Sequence, residues 1–130
     1  IRKTITNGRV GVMPAMNVIL GNEETIKQVA GYVVQMRGGK SDIPLTGVGE
    51  NKFKMVCTAC HGAGGRGNQA MGAPNLVQGS MLYGTKQNNI EQTLRMGRKS
   101  TMPAHKSLLS AEQIHLLTAF VYSLSTPAGN

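Results

Sequence analysis

The chain has 130 residues, no Trp, 4% aromatic residues and a formal charge of +8. That length suits one domain with at most an appendage, and no run of 18 apolar residues exists to make a membrane-spanning helix. So few aromatics leave a thin polypeptide core and little to stack on bases, so nucleic acid is not an expected partner.

In chain order, Asn22 is an expected N-cap for a helix running to about Met36. Arg37-Gly38-Gly39-Lys40-Ser41-Asp42-Ile43-Pro44 reads as a linker. A second helix, from about Glu50 to His61, carries Cys57-Thr58-Ala59-Cys60-His61. C-x-x-C-H attaches a c-type haem: the thiols bond to the porphyrin and the imidazole binds iron. At i, i+3 and i+4, Cys57, Cys60 and His61 share one helix face and can meet one flat ligand. A redox dithiol would want a βαβ setting, and none is visible. A zinc site would want two more nearby ligands. Cys57 and Cys60 are the only thiols, and His105 and His115 lie ten residues apart. One covalent haem c is therefore the expected cofactor, and it would supply the apolar body that the thin core lacks.

Gly62-Ala63-Gly64-Gly65-Arg66-Gly67 follows, a segment able to approach a flat ring closely or simply to flex. In Ala73-Pro74-Asn75-Leu76 the Pro74 carbonyl is a candidate acceptor for the second ring nitrogen of His61; a plain turn is the alternative. A third helix is expected from Asn88, with Glu91 completing a capping box, to a stop at Gly97. Arg95, Arg98, Lys99 and Lys106 then form a cationic cluster. Its default reading is a solvated face; Arg98 is the candidate partner of a haem propionate, and the cluster could steer an acidic docking partner. Met102 precedes Pro103, which holds it extended, and is the candidate sixth ligand to iron. Met71, Met81, Met96 and His105 are its rivals. A last helix begins after Ser110, with Gln113 at the matching box position, and Ile114, Leu117, Phe120, Val121 and Leu124 at helical spacing. Residues 127–130 read as a loose tail.

The chain also repeats itself. Ile1, Thr4, Gly8, Arg9, Met13, Pro14, Ala15, Leu20 and Glu23 recur as Ile90, Thr93, Gly97, Arg98, Met102, Pro103, Ala104, Leu109 and Glu112. After a one-residue slip, Ile26, Tyr32 and Val33 match Ile114, Phe120 and Val121. Residues 1–36 thus read as the back half of a preceding haem domain, 37–45 as linker and 46–126 as a complete domain. Met13 would then serve a haem that this stretch does not carry.

The order C-x-x-C-H, Gly-rich loop, Gly72-Ala73-Pro74-Asn75-Leu76, Leu82-Tyr83-Gly84, Gly97-Arg98, Met102-Pro103-Ala104 and Val121-Tyr122-Ser123-Leu124-Ser125 resembles a class I cytochrome c domain. More narrowly, it resembles the C-terminal part of the dihaem cytochrome c subunit of cbb3-type cytochrome c oxidases, whose two tandem domains account for the repeat. The resemblance implies an all-α fold around covalent haem, His61 and Met102 as axial ligands, Cys57 and Cys60 as thioether carriers, the Pro74 carbonyl on the His61 ring, and Leu76 packed on the haem. Met81 departs from the Trp common in the family at that position. The resemblance implies an electron-transfer module that accepts electrons from a soluble cytochrome c and passes them toward the other oxidase subunits. Its parent would be anchored in the membrane by an N-terminal segment outside this stretch, on the periplasmic side of the bacterial inner membrane. Residues 1–36 could also swap onto a second molecule. A free periplasmic cytochrome c is the alternative, and a haem sensor or peroxidase with an open iron position a more distant one.

Overall fold

The computed structural model describes residues 1–125; the tail expected at 127–130 lies outside them. Helices dominate, but the expectation of an all-α fold is corrected by a two-stranded sheet, β1 (Arg9–Met13) paired with β2 (Arg98–Met102). Its physical cause lies in the repeat. Helices α1 (Arg2–Asn7) and α6 (Gln87–Met96) both end on a glycine with positive φ, Gly8 (71°) and Gly97 (68°). Each chain end leaves its helix extended, and an extended backbone must place its N–H and C=O groups somewhere. The two equivalent segments place them on each other.

Two compact units result, one of residues 11–99 and one of residues 1–10 with the segment from Ser100 onward. The division falls inside β1 and inside β2. The larger unit holds α2 (Asn17–Leu20), α3 (Glu23–Met36), α4 (Val48–Lys52), a π-helical turn (Phe53–Cys57), α5 (Thr58–His61) and α6. Its core joins Leu20, Ile26, Val29, Ala30 and Val33 to Phe53, Cys57, Leu76, Ile90 and Leu94. Asn22 caps α3 as expected, its side-chain oxygen accepting from Thr25 N at 2.8 Å, with Glu23 and Glu24 in the first turn. By contrast, α6 starts at Gln87 without a side-chain cap, because its N-cap residue is Lys86, whose side chain has no acceptor to offer.

Helices α3 and α4 cross at Gly49, where a Cβ would collide with the Gln28 carbonyl. Only glycine permits that approach. The expected linker is tied to this core. Buried Gln28 donates to Pro44 O (3.0 Å) and accepts from Thr46 N (3.0 Å). Buried Gln87 accepts from Asp42 N (2.7 Å) and from the Ser41 hydroxyl (3.2 Å). Two core amides therefore hold residues 41–46 in place, satisfying their own polar groups as they do so.

In the smaller unit α1 packs against α7 (Ala111–Ser125). Ser110 N donates to Gln113 Oε1 (2.9 Å) and Gln113 N to Ser110 Oγ (3.3 Å), a reciprocal capping box. A Cβ at Gly8 would lie 2.5 Å from Met102 O, and His105 N donates to Ile5 O at 3.0 Å. The larger unit repeats this joint with the other copy's parts. A Cβ at Gly97 would lie 2.5 Å from Met13 O, and Met16 N donates to Leu94 O at 2.7 Å. Each helix thus docks on the Met-Pro-Ala turn of the opposite repeat.

Candidate cofactor site

The motif helix is continuous over residues 48–61 but changes winding before the first cysteine. Thr58 N donates to Phe53 O, an i to i+5 bond that closes the π turn, a feature that recurs at functional sites. Behind it, Phe53 is almost wholly buried and meets the Tyr32 ring at 5.5 Å between centroids. The phenyl ring therefore wedges the helix against α3 and fixes the direction in which Cys57 leaves it.

An apolar cleft opens beside this helix. Cys57 and His61 form one side. Val29 and Val33 of α3 and Ile90, Thr93 and Leu94 of α6 form others, and Leu76, Met81 and Met13 complete the wall. Cys57 and His61 are buried, whereas Cys60 is exposed and outside the lining. The shared face expected from spacing thus becomes one buried thiol, one buried imidazole and one thiol at the surface.

His61 Nδ1 lies 3.1 Å from Pro74 O. A carbonyl oxygen can only accept, so this contact puts the proton on Nδ1 and leaves the Nε2 lone pair available to a metal. The carbonyl is itself well held. Asn75 Oδ1 accepts from Val77 N (2.8 Å) and Gln78 N (3.0 Å), turning the chain just after Pro74. Arg37 donates to Leu76 O (2.8 Å) and Gly79 O (2.6 Å), and Leu76 N donates to Gly65 O (2.7 Å). The glycine-rich segment closes through Gly67 N to His61 O at 2.8 Å. Leu76 is thereby pressed into the cleft wall.

Burial pushes the free Cys57 thiol up to about 11, with a smaller contribution from Cys60. A redox-active dithiol needs its thiolate near neutrality, and this site opposes it. Among the described residues no three His, Cys, Asp or Glu side chains gather as a metal-binding group.

Arg98 stands beside the cleft rather than in it. Its Nε donates to the Thr93 hydroxyl at 2.9 Å, and its guanidinium lies 4.4 Å from the centre of the Tyr83 ring. Arg95 is withdrawn from the expected cationic cluster by Glu23 (2.7 Å) and Glu91 (2.8 Å). Met102 belongs to the smaller unit and is 39% exposed. His105 lies in that unit too, its Nδ1 without a hydrogen-bond partner among the described residues. Sequence reasoning missed Met13 on the cleft wall and Arg37, Gln28 and Gln87 behind it. The repeat was the one signal that could have raised Met13, since it makes Met13 and Met102 equivalent in sequence.

Residues 45–121, more than half of the chain, match the family described as cytochrome c oxidase, cbb3-type, subunit III. The chain belongs to that family. It is 43% identical over 125 residues to the cbb3-type cytochrome c oxidase subunit CcoP of Rubrivivax gelatinosus, covering 96% of this chain and 41% of that protein. The FixP subunit of Azorhizobium caulinodans is 38% identical, covering 95% of this chain and 42% of its own. That of Bradyrhizobium diazoefficiens is 39% identical over 82% of this chain and 37% of its own. The chain thus spans about two fifths of the length of these relatives. A cytochrome c domain of this family implies haem c, and the cleft fits one: it is apolar, it carries an imidazole with its coordinating nitrogen freed by the Pro74 bond, it has a motif thiol in its wall, and it has a thioether among its lining side chains. No helix among the described residues is long and apolar enough to cross a membrane.

Proposed function

We propose that this chain is a single-electron carrier holding one covalent haem c, the relay module of a cbb3-type oxidase. The observation that carries the reading is the His61 contact with Pro74 O at the edge of an apolar cleft walled by Cys57. Bound there, haem c would supply reversible ferric–ferrous chemistry; the chain's own residues do the rest. Cys57 and Cys60 would tether the porphyrin, and His61 would give its Nε2 while the Pro74 carbonyl keeps the proton on Nδ1 and the ring in one orientation. Leu76, Val29, Val33, Ile90 and Leu94 exclude water, so little solvent has to reorganise when charge changes. A lining thioether would favour the reduced metal and raise the potential, which suits a carrier. A thioether at exposed Cys60 would leave part of the cofactor open to a partner that exchanges electrons. Arg98, held between Thr93 and Tyr83, would meet a propionate.

The partners in this reading are a soluble cytochrome c as donor and the other oxidase subunits as acceptors, on the periplasmic side of the bacterial inner membrane. No substrate chemistry occurs in this chain. A free periplasmic carrier would share the same cleft; similarity to CcoP and FixP along nearly the whole chain favours the oxidase subunit. Expression in a host that matures c-type cytochromes should yield a red protein whose intact mass carries one covalent haem, lost in the Cys57→Ser, Cys60→Ser double variant. A colourless product of unmodified mass with both thiols free would overturn the proposal.

A further inference from the structure

We infer that Arg37 is a positioning residue for the His61 imidazole: it clasps the end of α3 to the loop whose carbonyl orients that ring, and so tunes how strongly the ring donates to iron. This rests on the haem c reading above. Arg37 is the C-cap of α3, where its N–H is tied to Val33 O (3.3 Å) and Val34 O (3.1 Å). Its guanidinium crosses to carbonyls 39 and 42 positions further along the chain. Nη1 donates to Leu76 O at 2.8 Å and Nη2 to Gly79 O at 2.6 Å. Among the described residues no salt bridge engages Arg37, so both arms of the fork are given to backbone. A planar fork can hold two carbonyls in a fixed relation; a lysine ammonium, a point charge on a flexible stem, cannot.

The loop held in this way is the one that fixes His61. It begins at Pro74, whose carbonyl oxygen lies 3.1 Å from His61 Nδ1. Leu76 N donates to Gly65 O at 2.7 Å, and Gly67 N to His61 O at 2.8 Å. A Cβ at Gly67 would lie 2.8 Å from the Pro74 carbonyl carbon, and one at Gly65 would lie 2.8 Å from the Cε of Met36, which precedes Arg37. The Pro74 loop, the glycine-rich segment and the end of α3 thus form one packed joint, and Arg37 spans it. Asn75 turns the loop from within. Arg37 ties it to a helix whose Val29 and Val33 wall the cleft. An Nδ1–H held firmly on a carbonyl makes the imidazole more basic and a stronger donor, which favours the oxidised metal. A slackened loop would weaken that donation.

The test reads the ring and the iron, not turnover, in the haem-loaded chain. Arg37→Ala and Arg37→Lys should both speed solvent exchange of the His61 Nδ1 proton by about tenfold or more, followed by NMR of the reduced form. Both should also raise the reduction potential. Asn22→Ala loosens α3 at its other end and should change neither. Arg37→Lys keeps the charge and guards against loss through misfolding of the alanine variant. Unchanged exchange and potential in Arg37→Lys would overturn the inference while leaving the haem c reading intact. So would a potential that falls in Arg37→Ala and is restored in Arg37→Lys, because that pattern follows charge and not position. A chain that carries no covalent haem would sink the reading itself, and the inference with it.

Discussion

Helices α3 and α7 are copies of one pattern with opposite fates. In α3, Ile26 and Val29 are 1% and 0% exposed, and Val33 is buried with them. In α7 only Ile114 of the matching set is buried; Phe120 is 60% exposed, and Leu117 and Val121 are exposed too. Both helices carry side-chain caps and apolar residues at helical spacing. What differs is the surroundings: α3 is packed by α4 and α6 and walls the cleft, whereas α7 has α1. An apolar stripe states what a helix can bury. How much it does bury depends on the other elements that arrive.

Substitution should expose this contrast most strongly in the stripe itself. Ile26→Ala should cost about 2–5 kcal/mol in denaturant unfolding, as large-to-small core changes do, while Phe120→Ala should stay within about 0.5 kcal/mol. Equal losses would mean that α7 is covered as well as α3. At the crossing that gives α3 its cover, Gly49→Ala should cost about 1–3 kcal/mol by forcing α4 off the Gln28 carbonyl; a neutral result would show that the two helices do not meet there. Capping is local, so it should ignore the contrast. Asn22→Ala and Ser110→Ala should each lose about 1 kcal/mol, and a clear difference between them would show that cap strength follows burial after all. The smallest effect is expected at Arg95. Removing its guanidinium in Arg95→Ala breaks the pairs with Glu23 and Glu91, and exposed bridges of this kind contribute less than about 1 kcal/mol. Molar salt should erase most of that difference.

Much of the local structure was legible residue by residue. The Asn22 cap, the Ser110–Gln113 box, the stop at Gly97 and the helix bearing the C-x-x-C-H motif all follow from side chains acting on their own neighbourhood. So does the Pro74 contact with His61, which sequence reasoning had as one of two alternatives. Other features depend on residues distant in the chain. The two-stranded sheet needs two extended segments 89 positions apart, each unremarkable alone. Gln87, the first residue of α6, gives its side-chain oxygen to residues 41 and 42, and nothing near Gln87 in sequence says so. The π turn depends on Phe53 wedging against Tyr32 of another helix.

The amino-acid sequence alone determined the chemistry: an imidazole and two thiols at haem-binding spacing, two methionines each stiffened by a following proline, and two equivalent tails. It could not determine which tail closes which site, because the repeat makes Met13 and Met102, and α3 and α7, nearly interchangeable in local propensity. Tertiary structure decided that. The choice rests on contacts that exist only once the chain has folded, namely Gly49 against Gln28, Arg95 against Glu23, and Gly97 against the Met13 turn.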